Sequence, residues 1–255
     1  YWFTLHRSDE STILDLTPTG PEETTVPTVE LDGGWDSLLK GRSRKRLQTE
    51  VIPAFLRRQR WFAGKARRIR SVEILDSTHP KVLPERSTLI TVEVRYDDGL
   101  TETYVLPLGI ATGAGSQDLI AQSPKFVLAL LNSSEGTGVL HDAIADDDFC
   151  MALLDSVRSR KEMSTSAGRY RATPTSALTE TLGSPDADLK PRRDTFEQSN
   201  TNVTFGQRIL MKLFRRVEPG MNPELEIGLA LTEKTTFENF PRLAGFIEYR
   251  RPDTE

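Results

Sequence analysis

A lysine lies inside an otherwise apolar segment near the C-terminal end of this sequence. Residues 199–214 read S-N-T-N-V-T-F-G-Q-R-I-L-M-K-L-F: a small polar run enters a β-like segment, Gly206 allows a turn, and Lys212 lies in the apolar return. Burying a charge there is costly unless an anionic group meets it. The pattern predicts two strands around Gly206, at 194–204 and 208–214, and an anionic partner for Lys212.

A helix start follows the two predicted strands. Asn222-Pro223-Glu224 offers an N-cap residue, a proline at the first helical position and an acid near the positive end of the helix dipole. A site for the phosphates of ATP needs a cation, hydrogen-bond donors and a carboxylate that holds the cation. We therefore expect Lys212 to contact phosphate and Glu226 to hold it, with Glu224 as the alternative.

The hydrogen-bond donors for a phosphate would have to come largely from side chains, because Gly206 is the only glycine in this stretch. The candidates are the polar residues Ser199, Asn200, Thr201 and Asn202. Three alternatives stay open on the residues alone. A strand lysine can extend to solvent, a Ser/Asn/Thr run can be an ordinary turn, and acids at a helix start can be surface charges that favour the helix.

Composition narrows the class of protein. The chain has 255 residues and a net charge of -4, which suits one large or two modest domains and gives no basic footprint for nucleic acid. No segment approaches the ~18 apolar residues of a membrane span, and the start has no signal-peptide pattern. Cys150 is the single cysteine, so an intramolecular disulfide is excluded and we expect a small buried residue. These features fit a cytoplasmic enzyme.

Helical and β patterns alternate along the rest of the chain. Leu47, Val51 and Phe55 mark one helix face, and Pro53 predicts a break or kink in that helix. Asp98-Gly99 predicts a two-residue hairpin. The other predictions are strands at 90–96, 101–108 and 242–249, a helix at 146–157, a strand or helix at 126–131, and a polar hairpin or connection at 159–193.

Several segments resemble bacterial maltokinases. R-Q-R-W-F-A-G-K at 58–65 resembles the signature of the family's N-terminal cap subdomain. S-N-T-N-V-T-F-G-Q-R-I-L-M-K-L-F-R-R-V-E-P-G-M-N-P-E-L-E-I-G at 199–228 resembles the strand–loop–strand–helix of its upper kinase lobe, and F-P-R-L-A-G-F-I-E-Y at 240–249 resembles the next strand. Y-W-F-T-L at 1–5 is similar to the last strand of the C-terminal β domain of trehalose synthases.

The resemblance implies an α+β fold in which an N-terminal cap subdomain, with an antiparallel sheet and helices, precedes part of a protein-kinase-like N-terminal lobe of the aminoglycoside phosphotransferase type. The implied domains are the end of a trehalose synthase β domain at 1–8, a linker at 9–30, the cap at 31–192 and the partial kinase lobe at 193–255. The chain is therefore expected to be a fragment of a trehalose synthase–maltokinase fusion.

The resemblance also implies an activity. The family uses ATP and Mg²⁺ to phosphorylate the anomeric hydroxyl of maltose, and the maltose 1-phosphate formed feeds α-glucan (glycogen) synthesis from trehalose. By position, Lys212 would contact the phosphates of ATP and Glu226 would hold Lys212, and the phosphate-facing loop would be formed by Ser199, Asn200 and Thr201. The implied partners are ATP, maltose and a trehalose synthase domain or subunit, while neither nucleic acid nor a membrane is expected.

The family's catalytic aspartate and metal-binding aspartate belong to a C-terminal lobe that no segment of this chain resembles. No catalytic or metal-binding residue is therefore named, and the fragment alone is expected to be inactive. Two other hypotheses stay open. The cap could be a non-catalytic assembly module, or the protein could be a related kinase for another sugar or an aminoglycoside.

The R-Q-R-W-F-A-G-K segment has two interpretations of its own. It could couple the cap to the kinase lobe or its ligands through residues such as Arg60. It could instead be a structural corner, in which Trp61 and Phe62 anchor the end of a helix, Gly64 turns the chain and Lys65 is solvated. We favour the corner, because the segment carries no chemistry of its own.

Overall fold

Three β-sheets and six α-helices form the part of the chain that the structure, a computed structural model, describes. That part comprises residues 26–78, 83–84, 86–183, 188–193, 200–237 and 239–251. These residues have the mixed α+β class that the sequence predicted. The predicted strand at 1–5 and the predicted donor Ser199 lie outside them.

The described strands are β1 (Thr28–Glu30), β2 (Ile69–Ser77), β3 (Ser87–Tyr96), β4 (Thr101–Thr112), β5 (Val127–Ser133), β6 (Gly136–Asp142), β7 (Glu162–Ser164), β8 (Arg169–Pro174), β9 (Pro191–Arg193), β10 (Thr201–Phe205), β11 (Ile209–Leu213), β12 (Arg216–Val217) and β13 (Gly245–Arg250). The described α-helices are α1 (Gly41–Arg46), α2 (Ile52–Arg58), α3 (Gly113–Gln122), α4 (Asp147–Arg158), α5 (Leu178–Leu182) and α6 (Pro223–Lys234). Among the described residues, no helix combines the length and the apolar character needed to span a membrane.

The largest sheet has seven strands. Six follow the order β1-β5-β6-β4-β3-β2, and β12 also pairs with β4. All neighbouring strands are antiparallel except β1 and β5, which run parallel. The two smaller sheets have the orders β11-β10-β9 and β13-β8-β7. The strands predicted at 90–96 and 101–108 are confirmed as β3 and β4, and the segment at 126–131 lies mostly in a strand, β5.

The hairpin predicted at Asp98-Gly99 joins β3 to β4, and its loop is one residue longer than predicted. Asp97, Asp98 and Gly99 lie between Tyr96 and Leu100, and the amide of Tyr96 donates to the carbonyl of Leu100 at 3.0 Å. Gly99 has a φ of +85°, and Asp98 Oδ1 accepts a hydrogen bond from the amide of Leu100 at 3.1 Å. The positive φ and the aspartate side chain stabilise a three-residue loop in place of the two-residue turn.

A π-helical turn at Leu47–Val51 joins α1 to α2. The amide of Ile52 donates to the carbonyl of Leu47, five residues back, and Pro53 follows directly. Proline has no N–H, and in a regular α-helix its ring clashes with the carbonyl four residues earlier. The wider turn accommodates that ring, so the irregularity predicted near Pro53 takes the form of a change in helix type. The predicted face of Leu47, Val51 and Phe55 is confirmed, since these side chains are at most 1% exposed.

Strand β1 lies inside the segment that the sequence predicted to be a linker, residues 9–30. It pairs with β5 from Thr28 to Glu30, and Val29 at its centre is completely buried. The linker prediction therefore extends too far at its C-terminal end. A Pro/Thr/Glu-rich composition concealed a three-residue strand with one core side chain.

The helix predicted at 146–157 is confirmed as α4, which buries Phe149, Cys150 and Leu153. Burial raises the pKa of the Cys150 thiol to about 11, so this cysteine has the inert, core character that the sequence predicted. The polar segment at 159–193 contains the β7–β8 hairpin, helix α5 and strand β9. The hairpin interpretation of this segment is thus confirmed for its first half.

The C-terminal part of the chain interleaves with the preceding part. Strand β12 pairs with β4, and β13 pairs with β8. Val203 and Phe205 of β10 are buried in the same hydrophobic cluster as Phe149 and Leu153 of α4. A domain boundary at residue 193 therefore does not divide two separate cores in the described residues, and the kinase-like lobe predicted beyond it stays a prediction.

Candidate functional site

Lys212 lies on the open face of the β10–β11 hairpin. The two strands are antiparallel, and Asn202 of β10 is directly opposite Lys212 of β11. Thr204 and Leu210 form the next pair on the same face, because side chains alternate along a strand. Gly206 turns the chain between the strands with a φ of +57°. The second predicted strand is confirmed as β11, and the first is confirmed only from Thr201, since residues 194–199 lie outside the described residues. The Lys212 side chain is 40% exposed and is not enclosed by apolar residues.

The carboxylate that meets Lys212 belongs to Glu224. Lys212 Nζ donates to Glu224 Oε1, whereas Glu226, the predicted partner, is exposed. Asn222 Oδ1 caps α6 by accepting from the amide of Glu224 at 2.8 Å and from that of Leu225 at 3.3 Å. Two residues along an α-helix turn a side chain by about 200°. The alternative named from the sequence is therefore the one that pairs, because Glu226 points in another direction.

The position of Thr201 corrects another prediction. Its side chain is 2% exposed, and its Oγ1 accepts a hydrogen bond from Arg215 Nε at 3.0 Å. Thr201 precedes Asn202 by one residue in β10, so it faces the opposite side of the hairpin from Lys212. A phosphate beside Lys212 would not reach it. Asn200 lies just before β10 and is half-buried, so its predicted contact with phosphate stays a prediction, as does that of Ser199.

Asn202 has the clearest structural reason to meet a ligand. Its Oδ1 is buried and has no hydrogen-bond partner among the described residues. A buried polar atom without a partner is costly, and such atoms commonly mark a water or ligand position. Because Asn202 is opposite Lys212, an amide and an ammonium group can act on the same bound molecule. The sequence offered Asn202 as a donor but did not single it out, since the strand register was needed to place it.

Arg215 is the largest of the fully buried side chains among the described residues. Its Nη2 donates to Asp142 Oδ2 at 2.6 Å, and the two side chains are 1% and 2% exposed. Its guanidinium also lies 4.9 Å from the centre of the Trp61 ring, a cation–π contact. The burial of Arg215 could not be predicted from the sequence, because an Arg-Arg pair is typical of a solvated face and Asp142 is 73 residues away.

Trp61 and Phe62, from the R-Q-R-W-F-A-G-K segment, pack on Tyr104 of β4. The ring centroids are 6.1 Å and 5.3 Å from that of Tyr104, and both side chains are at most 5% exposed. Lys65 is exposed. This arrangement has the features of the structural corner that the sequence favoured. The contact with Arg215 adds a feature of the other interpretation, because it joins the segment to the C-terminal part of the chain.

Glu102 connects the same two parts at the surface. It accepts hydrogen bonds from Tyr96 Oη at 2.5 Å and Tyr104 Oη at 2.6 Å, and it pairs with Arg216 at 3.1 Å and Arg67 at 3.5 Å. Burial alone would raise the pKa of the Glu102 carboxyl, but the tyrosine hydrogen bonds and the two arginines outweigh it and lower that pKa. Glu102 is therefore a charged anchor for Arg216, the first residue of β12.

No metal site is evident among the residues that the structure describes. No group of three His, Cys, Asp or Glu side chains there could hold a metal ion. His141 Nε2 lies 3.5 Å from Asp146 Oδ2, but these two side chains are one fewer than such a metal site needs. Burial raises the pKa of the Asp146 carboxyl. We assign no metal ligand and no catalytic base to the described residues.

A comparison with protein families finds a known domain in the part of the chain that precedes α4. The match begins at Phe55 in α2, runs through β2 to β6, and ends at Asp146, just before α4. It includes Trp61, Glu102 and Asp142, while the β10–β11 hairpin with Lys212 lies outside it. The family that matches residues 55–146 of this chain is the maltokinase N-terminal cap domain.

Proposed function

We propose that the protein is an ATP-dependent maltokinase, which transfers the γ-phosphate of ATP to the anomeric hydroxyl of maltose and forms maltose 1-phosphate. The observation that carries this proposal is the match of residues 55–146 to the maltokinase N-terminal cap domain. Among the described residues of this matched segment, we assign none to phosphoryl transfer. We therefore propose that the β10–β11 hairpin, which follows the cap domain in the sequence, contacts ATP.

The β10–β11 hairpin has the chemistry that the phosphates of ATP require. Lys212 offers a partly exposed positive charge, and Glu224 holds its ammonium group from the first turn of α6. Asn202, directly opposite Lys212 on the neighbouring strand, carries a side-chain Nδ2 group that can donate to a phosphate oxygen, while its buried Oδ1 is an acceptor left for a donor such as water. Electrostatic stabilisation of the transferring phosphoryl group depends on such pre-arranged charges and donors. When ATP binds, Lys212 would neutralise phosphate charge and Asn202 would orient the same group.

Magnesium would accompany the phosphates of ATP, since Mg²⁺ is commonly held by substrate phosphates and one or two carboxylates. The described residues provide no cluster that we can assign to it. Its chemistry in the proposed reaction is the neutralisation of phosphate charge. The part of this chain in that reaction is to position the phosphates through Lys212 and Asn202.

The proposal extends to the metabolic setting. Maltose is the sugar expected from a trehalose synthase, which we propose as a fused domain or partner subunit, and maltose 1-phosphate is an activated donor for α-glucan synthesis. A cytoplasmic location would suit this use of ATP. A kinase for another sugar or an aminoglycoside is the competing hypothesis, and the same assay tests it.

The test is a kinase assay on the full-length protein with ATP, Mg²⁺ and a panel of acceptors comprising maltose, glucose, trehalose and an aminoglycoside. We expect maltose to be the preferred acceptor, and maltose 1-phosphate to be identified by its resistance to reducing-sugar reagents. Preference for another acceptor would overturn the assignment of maltose.

The role of Lys212 is tested in the same assay. We expect Lys212→Ala to lower kcat/KM for ATP by about 100-fold, because a charge contact to phosphate in the transition state is lost. Lys234→Ala removes the same kind of charge from the last turn of α6, at the end of that helix opposite Glu224, and should leave the rate within about twofold of wild type. Similar rates for the Lys212 variant and wild type would remove Lys212 from the site.

A further inference from the structure

We propose that Arg215 is a positioning residue for Lys212, held by Asp142 and Trp61 of the cap domain. The inference rests on the proposed function, and it names the side chain through which the R-Q-R-W-F-A-G-K segment would influence the site for the phosphates of ATP. Arg215 itself would not touch ATP, because its side chain is 1% exposed.

The first argument is that Arg215 fixes both strands of the hairpin at their open end. It lies two residues after Leu213, the last residue of β11. Its Nε donates to Thr201 Oγ1 at 3.0 Å, and Thr201 is the first residue of β10. Asn202 and Lys212 are the next residues inward on the two strands. A displacement of the Arg215 guanidinium would therefore move both groups of the proposed site.

The second argument is that Arg215 is attached to the cap by its backbone and by its side chain. Its carbonyl accepts a hydrogen bond from the amide of Val105 in β4 at 2.8 Å. Its Nη2 pairs with Asp142 at 2.6 Å, and its guanidinium stacks on Trp61. All three partners lie within the matched cap domain. The hairpin thus has its position set by the cap and not by its own two strands alone.

The third argument comes from energetics. A buried ion pair commonly adds little net stability, because desolvation of two charges offsets their attraction. Here the cost is increased, since Arg215 Nη1 is buried and has no hydrogen-bond partner among the described residues. An apolar side chain would fill such a position at lower cost. An arginine instead adds a fixed geometry, because its planar guanidinium group sets the relative directions of the hydrogen bonds to Asp142 and Thr201.

The first experiment measures the affinity of the purified protein for ATP by equilibrium dialysis. We expect Asp142→Asn, Trp61→Phe and Arg215→Met to weaken ATP binding by at least about tenfold in each folded variant, with fluorescence of Trp61 altered in the last. The matched control is Arg216→Met, which removes the neighbouring positive charge but leaves Arg215 in place; we expect a change within about twofold. Equal losses at Arg215 and Arg216 would show a general effect of charge and overturn the proposal.

The second experiment does not depend on ATP. Hydrogen exchange is measured on the amides of β10 and β11 and on those of β2 and β3. In Asp142→Asn, or in Trp61→Phe if the former does not fold, we expect exchange to be at least about tenfold faster in β10 and β11 and unchanged in β2 and β3. Acceleration in both pairs, or in neither, overturns the positioning role.

The two experiments separate this inference from the proposed function. If the wild-type protein has no affinity for ATP, the proposed function fails, and hydrogen exchange alone decides whether Arg215 positions the hairpin. If ATP binds and the Asp142 and Trp61 variants bind it as well as wild type does, the positioning role fails and the kinase proposal is unaffected.

Discussion

Asp76 at the end of β2 collects five hydrogen bonds on one buried carboxylate. The side chain is 3% exposed. The donors are Thr165 Oγ1 at 2.5 Å, Ser166 Oγ at 2.5 Å, Tyr249 Oη, and the amides of Ser77 at 2.8 Å and Ala167 at 3.1 Å. They belong to β2, to the turn between β7 and β8, and to β13. A single carboxylate therefore ties the largest sheet to the β13-β8-β7 sheet.

The ionisation of Asp76 makes the stability of the protein depend on pH. Burial alone would raise the pKa of this carboxyl, but hydrogen bonds from Ser166, Thr165 and Tyr249 outweigh it and lower the pKa. A group whose pKa is lower in the folded state contributes stability above its unfolded pKa of about 4, and that contribution is lost as the pH falls through the folded value. We expect the urea midpoint of the wild type to fall on acidification below about pH 4.

Asp76→Asn provides the comparison. It should lower the free energy of unfolding at neutral pH by about 3 kcal/mol, because an amide cannot accept all five hydrogen bonds. The urea midpoint of this variant should fall less on acidification than that of the wild type, since an asparagine side chain does not take up a proton in this pH range. Parallel pH profiles for the two proteins would show that other carboxylates cause the acid sensitivity.

Gly64 is required by a close approach of side chains. A Cβ added at this position would lie 2.1 Å from Tyr96 Oη, which is itself bonded to Glu102. We expect Gly64→Ala to lower the free energy of unfolding by about 2 kcal/mol, because the crowded core must shift. The matched control is Gly115→Ala in α3, where an added Cβ meets nothing within 4 Å.

The control should raise stability by about 0.5–1 kcal/mol, the usual gain when alanine replaces glycine inside a helix. Both variants are measured by chemical denaturation. A Gly64 variant as stable as wild type would show that Tyr96 can move away from its position beside Glu102 without cost.

At the scale of elements, the start of α6 carries the partner of Lys212. Asn222 caps this helix through the amides of Glu224 and Leu225. Replacing Asn222 by alanine should cost about 1 kcal/mol, because two amides lose their acceptor. The first turn would then open more often, and Glu224 would hold Lys212 for a smaller fraction of the time. We expect faster hydrogen exchange in the first turn of α6 and a higher KM for ATP.

Thr235→Ala is the control at the other end of this helix. Thr235 Oγ1 donates to the carbonyl of Leu231 at 2.9 Å and accepts from the amide of Phe237 at 3.3 Å, so this change removes two exposed side-chain hydrogen bonds. It should leave the first turn of α6 and the KM for ATP as they are in wild type. An equal rise in KM for both variants would mean that general loosening of α6, and not the capping of its start, affects the site.

Local elements could be predicted from the sequence because their signals are local. The turn at Gly206, the cap at Asn222 and the hairpin at Asp98-Gly99 each depend on residues only a few positions apart, and all three are present. To predict which of Glu224 and Glu226 pairs with Lys212, one must know which side of α6 faces the hairpin. To predict whether Thr201 faces inward or outward, one must know how β10 is aligned with its neighbouring strands. Neither is fixed by composition or spacing.

At the scale of the whole molecule, the described residues form an interlocked structure. Strand β12 joins the largest sheet, β13 joins β8, and β10 completes the hydrophobic cluster around α4. We expect a single cooperative unfolding transition, because loss of one part exposes the core of the other. Calorimetry tests this, and a van't Hoff enthalpy well below the calorimetric enthalpy would contradict it.

This interlocking could not be predicted from the sequence. The ion pair of Arg215 with Asp142 joins residues 73 positions apart, and no local pattern pairs one with the other. The domain boundary at residue 193 was predicted from the resemblance of segments to a family. Such a resemblance does not say how the segments pack against one another. Strand β1 was likewise hidden, because a parallel partner about 100 residues away determines it.

The late position of β12 in the chain has a consequence for synthesis on the ribosome. Arg216 pairs with Glu102, 114 residues earlier, and β12 covers the part of β4 that β6 does not reach. Until residues 215–217 emerge, that edge of β4 lacks its partner strand and Asp142 lacks its counter-ion. The nascent sheet would be exposed to wrong pairing during this interval, so its folding depends on how quickly translation reaches these three residues.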